Sequence, residues 1–218
     1  MRIPYQLLLT GSALLAIGSA PAFSFSNHHN DVLREPSYIR VSDARDEDAE
    51  KFVDMMASDA ITFLGNADLA DTDKEKHFSE LLNRSFDMAT IGRFALGKYW
   101  RLASPEQRDE YQKLFREMIV EVYSRRFGEY DGQNLDIRGS RAGQKDDVTV
   151  NSVIVPQGSG QDVKVDWRLR KKNGQYKVID VVVEGVSMAL TQRSDFSSVI
   201  QRGGGEVSVL IEHLREIK

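Results

Sequence analysis

The sequence predicts an α+β fold from three observations. Apolar residues recur at helical spacing through the first half of the chain and switch to a spacing of two after Gly132. Asn173-Gly174 separates two strand-like runs as a type I′ hairpin turn does. Two further helical stretches close the chain, so the order is helices, four antiparallel strands, helices.

The elements follow in order. Met1 to Ala22 reads as a cleavable export signal: Arg2 is its positive start, Leu7 to Ile17 its apolar run, and Ala20-Pro21-Ala22 its cleavage site, cut after Ala22. The run is too short to span a bilayer comfortably. Residues 23–45 form a polar lead-in containing Pro36 and the pair His28-His29; adjacent histidines in such a segment make a poor metal site. About 196 residues remain after cleavage, enough for a substantial core, and residues 46–218 are expected to form a single α+β domain.

A first helix is expected over about Asp46–Leu64, with Ala49, Phe52, Val53, Met56, Ala60, Phe63 and Leu64 on one stripe. A second covers about Thr72–Phe86 and opens on acids that suit a positive helix start. A third, Met88–Leu96, stops at Gly97. Ser104-Pro105-Glu106-Gln107 is a capping box with proline at the first helical position. The helix it opens carries Tyr111, Leu114, Phe115, Met118, Ile119, Val122, Tyr123 and Phe127 on one face and ends by Gly128.

Strands are expected over Leu135–Arg138 and Val148–Val155, then from Val163, where apolar Val163, Val165, Trp167 and Leu169 alternate with charged residues. A two-residue turn at Asn173-Gly174 sets Lys172 opposite Gln175, Leu169 opposite Val178, Trp167 opposite Asp180 and Val163 opposite Glu184. Two carboxylates would then sit in an apolar sheet face. The closing helices cover about Ser187–Arg202 and Glu206–Ile217, with Gly203-Gly204-Gly205 as stop and hinge.

The chemistry is sparse. The formal charge is −4, or −5 without Arg2, which is a poor match for nucleic acid. No cysteine is present, so disulfides and thiol chemistry are excluded. No metal constellation, nucleotide loop or G-x-S-x-G elbow occurs, and His77 and His213 fall on helix surfaces. Asp180 has two readings: a general base in an apolar pocket, or a structural acceptor for Trp167 Nε1–H, a helix N-terminus or Arg193. No histidine or second acid is placed to complete a site, which favours the structural reading. Gly185 permits a sharp turn and Ser187 caps the next helix.

Several segments together resemble the MlaC family: Phe94-Ala95-Leu96-Gly97 with Tyr99-Trp100, then Gln107, Tyr111 and Phe115, then Asp180 to Ser187, then Arg193-Ser194 with Phe196. The resemblance spans about Phe52 to Leu214 and takes in toluene-tolerance and hopanoid-associated relatives. Tyr176 stands where a tryptophan is often seen, and the lead-in is longer than usual. The resemblance implies an NTF2-like fold, a four-stranded curved antiparallel sheet packed against several helices around an apolar cavity. It implies a non-enzymatic periplasmic carrier of phospholipid acyl chains, with no cofactor beyond its cargo. Its partners would be an outer-membrane lipoprotein complex and an inner-membrane ABC transporter with an MCE-type receiving subunit. The expected cavity lining is Phe94, Trp100, Tyr111, Leu114, Phe115, Met118, Ile119, Val122, Val165, Trp167, Leu169, Val178, Val182, Val186, Met188 and Phe196, with Asp180, Gly185, Ser187 and Arg193 structural. Alternatives are a hopanoid cargo, an exported enzyme with Asp180 as base, or an adaptor with a closed core.

Overall fold

The computed structural model describes residues 45–217. The export signal, His28-His29 and all of the lead-in except Arg45 lie outside the described residues. Helix α1 spans Glu47–Leu64, α2 Asp71–Ser85, α3 Met88–Leu96 and α4 Pro105–Ser124. Strands β1 (Asn134–Ala142), β2 (Asp147–Val155), β3 (Val163–Lys172), β4 (Gln175–Val183) and β5 (Val186–Ser187) follow, then α5 (Met188–Arg202) and α6 (Val207–Glu216). The described residues form an α+β fold, a curved antiparallel sheet in the order β1-β2-β3-β4-β5 with six α-helices.

Local chemistry places most boundaries. Asp46 caps α1 by accepting the Ala49 N–H at 3.0 Å, and Asp87 caps α3 by accepting that of Thr90 at 3.0 Å. Ser104 and Gln107 form the reciprocal capping box of α4. This helix ends at Ser124, earlier than its apolar pattern suggests. Phe127 then sits in a short 3-10 turn, its ring 6.2 Å from Phe63 and 5.4 Å from Phe78, which ties α1 and α2 to the end of α4.

The sheet has five strands rather than four. Glu184 and Gly185 both have positive φ, 48° and 81°, as a two-residue hairpin turn requires. They fold Val186 and Ser187 back as β5, pairing Val183 with Val186 and Val182 with Ser187.

The expected hairpin register holds from Lys172↔Gln175 to Leu169↔Val178 and then shifts. Ile179 is an extra residue, a β-bulge, so Arg168 lies opposite Asp180 and Trp167 opposite Val181. The embedded pair of carboxylates therefore does not form: Asp180 joins the charged face of β3 and Glu184 sits exposed in the turn. Trp167 Nε1–H donates instead to Ser152 Oγ at 2.9 Å.

Buried apolar residues fall into two clusters. In one, α1 and α2 cover the sheet face bearing Val150, Leu169, Tyr176 and Val178. In the other, α4 meets α3, α5 and α6 through Tyr111, Leu114, Phe115, Met118, Phe196, Ile200 and Leu210. The α4 face therefore does not look across at the sheet, as its pattern suggested. The α1 stripe already occupies the sheet's apolar face, and α5 and α6 return over α4. Tyr176 ties the first cluster to the start of α1, since its hydroxyl donates to Asp46.

Candidate functional site

The two clusters meet where α2 hands over to α3. Ser85 ends α2, and Phe86 takes an extended conformation that makes a parallel bridge to Val178 in the middle of β4. The Asp87 N–H donates to the Val178 carbonyl at 2.9 Å. Phe86 packs against both clusters. The joint is thus a seam between two apolar clusters, stitched to the sheet by backbone.

Beside it opens a cavity of about 240 Å³, lined by Asn83, Phe86, Asp87, Met88, Ala89, Arg116, Lys172 and Lys177. Its inner residues, Phe86 and Met88, belong to the clusters. Its rim is cationic. Lys172 Nζ lies 3.5 Å from Asp87 Oδ2, and Lys177 Nζ donates to the Arg84 carbonyl. Burial pushes the Asp87 carboxyl upward, but the Thr90 hydrogen bonds and the Lys172 ammonium outweigh it and hold the group below the usual carboxylate range.

The residues expected to line one cavity are distributed over three places. Tyr111, Leu114, Phe115, Met118 and Phe196 are buried in the helical cluster, with Trp100, Ile119 and Val122 packed at its edge. The Tyr111 hydroxyl donates to the Gly92 carbonyl at 2.9 Å, and burial raises its pKa. Leu169 and Val178 are buried in the sheet cluster, with Trp167 against it. Val165 is buried outside both clusters, Val182 and Met188 are half-buried, and Phe94 and Val186 are 40% and 42% exposed.

Asp180 is 5% exposed and serves the start of α5. Its Oδ1 accepts the Ala189 N–H at 3.1 Å and its Oδ2 the Ser187 hydroxyl at 2.6 Å, with Arg168 Nη1 at 3.5 Å. Ser187 Oγ in turn accepts the Leu190 N–H. Arg193 is not its partner. That guanidinium lies over the Phe94 ring at 5.4 Å and beside Gly97, and the bulge places Arg168 opposite Asp180 instead. Among the described residues no group of three or more His, Cys, Asp or Glu side chains is arranged to hold a metal, and no helix is long and apolar enough to cross a membrane.

Sequence reasoning passed over Phe86, Met88, Arg116, Lys172 and Lys177 as site residues. One signal was available. Asp87, three residues before Thr90, is an N-cap placed directly after Phe86, so the two helices join through two residues, Phe86 in extended backbone and the Asp87 cap.

The family model described as MlaC protein matches residues 47–216. The chain is 27% identical over 115 residues to toluene tolerance protein ttg2D of Pseudomonas putida, a match covering 53% of each chain. It is 26% identical over 128 residues to the intermembrane phospholipid transport system binding protein MlaC of Haemophilus influenzae, covering 57% of this chain and 59% of that one. The matches thus span little more than half the length of these curated relatives. Among solved structures, a phospholipid-binding protein from Ralstonia solanacearum in complex with a phospholipid superposes with a TM-score of 0.66 at 26% identity, over 78% of this chain and 96% of that one.

Proposed function

The chain belongs to the MlaC family, and we propose that it binds a phospholipid and carries it through the periplasm without catalysing a reaction. The observation that carries this reading is the pair of apolar clusters meeting along one line at Phe86, beside an open mouth, in a fold shared with a protein solved in complex with a phospholipid. Shielding about 30 methylenes from water is worth on the order of 20 kcal/mol, at about 0.8 per CH₂. The cavity of about 240 Å³ is smaller than the roughly 300–1,000 Å³ of ordinary ligand sites. Acyl chains therefore enter as the clusters part, with the α4 side (Tyr111, Leu114, Phe115, Met118) and the sheet side (Leu169, Val178) becoming walls of one cavity.

After cleavage behind Ala22, the carrier would exchange lipid with an outer-membrane lipoprotein complex and with the MCE-type subunit of an inner-membrane ABC transporter. The engagement of both Asp180 oxygens in holding α5 supports a non-catalytic role. The test is organic extraction of gently purified protein followed by mass spectrometry. Diacyl phospholipid at close to one molecule per chain is expected. Protein that emerges lipid-free and takes up no phospholipid from vesicles would overturn the proposal.

A further inference from the structure

We propose that Arg116, Lys172 and Lys177 form an anion site at the mouth of the Phe86 seam, and that it takes the phosphate of the cargo headgroup. The inference rests on the carrier reading for its ligand, but its geometry stands alone. Three cations from three elements, α4, the end of β3 and the start of β4, line one cavity that contains a single acid, Asp87. The chain as a whole carries −4, so this local positive surplus runs against its balance.

Arg116 is exposed and its side chain makes no ion pair or hydrogen bond among the described residues. It is therefore free to pair with an incoming anion, and its planar guanidinium suits two phosphate oxygens at once. Lys172 and Lys177 are anchored by Asp87 and by the Arg84 carbonyl. Each ammonium has three donors and keeps others for a ligand. Phe86 and Met88 behind them are apolar. A phosphate at the rim with hydrocarbon directed inward satisfies both halves of the site. The shared chemistry is a phosphate anion, whether on a lipid or free in solution.

The experiment uses delipidated mature protein with dioleoylphosphatidylglycerol, dioleoylglycerol and inorganic phosphate as separate probes. Wild type should bind the phosphate-bearing lipid about tenfold or more tightly than dioleoylglycerol, as charge-assisted hydrogen bonds predict. R116Q/K172Q/K177Q should erase that preference and leave dioleoylglycerol binding unchanged. Arg116→Gln alone, at an exposed and unpartnered position, should retain the fold and lose part of the preference. Equal affinity of wild type for the two lipids, or equal loss of both in the variants, overturns the anion site while leaving the carrier intact. Uptake of neither lipid, with phosphate still shifting the NMR signals of these three side chains, keeps the anion site and sinks the carrier. Silence toward all three probes removes both.

Discussion

The Ser187 hydroxyl donates to Asp180 Oδ2 at 2.6 Å while its oxygen accepts the Leu190 N–H at 3.1 Å, so one serine joins strand β4 to the first turn of α5. The other oxygen of Asp180 holds the Ala189 N–H. Ser187→Ala should destabilise the fold by about 1 kcal/mol through the lost cap. Asp180→Ala should cost about 1–3 kcal/mol, since it strands a buried backbone donor. In urea denaturation, a double-mutant cycle between them should show coupling above about 0.5 kcal/mol, whereas Asp180→Ala with Arg193→Ala should be additive. Strong coupling to Arg193 would refute this assignment of Asp180's partners.

Gly97 closes α3 with φ 58° and ψ −128°, and a Cβ there would come within 2.7 Å of Arg193 Nε. Gly97→Ala is expected to cost about 1–3 kcal/mol in backbone strain and to push Arg193 off the Phe94 ring. Adding Arg193→Ala should recover only the steric part, seen as incomplete restoration of the melting temperature. Full restoration would mean the backbone there is unstrained.

Met118 is 6% exposed within the helical cluster. In lipid-free protein, Met118→Trp should overpack that cluster and lower stability by about 1–3 kcal/mol. An equally stable variant with less bound lipid would show standing open space on the α4 face and no need for the clusters to part.

Arg170 donates to Asp147 through Nε at 2.6 Å and Nη2 at 2.9 Å, and this contact holds the Asp147 carboxyl below the usual range against the effect of burial. A depressed folded-state pKa stabilises above the unfolded value of about 3.9, and the contribution disappears as pH falls through the lower folded value. Wild type should therefore exceed Asp147→Asn in stability at pH 7, and the gap should close as the solution is acidified below pH ~4. A gap that widens with acid would reverse the sign of this linkage.

Helix starts were legible because capping is local chemistry: Asp46, Ser104 and Ser187 each satisfy an N–H within three residues. The Asn173-Gly174 turn and its first pairs were legible for the same reason, both residues having positive φ. The bulge at Ile179 was not. Val178 to Val183 is apolar at every position but Asp180, so a one-residue slip is marked only by where that carboxylate lands, and its bond to the start of α5 is not visible in the pattern. The α4 face was recognised as apolar, but periodicity says nothing about which surface covers it. The rim cations escaped notice because Arg116, Lys172 and Lys177 converge only after α4 and the hairpin are placed.

Two apolar clusters that share Phe86 predict two families of backbone amides. Amide exchange in such a protein should sort by cluster, with α1 and the central strands opening as one cooperative unit and α4 to α6 as another. The Phe86–Val178 bridge and the Asp87 N–H would have to let go for them to part, together with the Asp180 bonds to α5 and the Phe78 and Phe127 ring contacts. A guest wedged along that line would be held by two walls that each keep their own structure, and its departure would need no refolding.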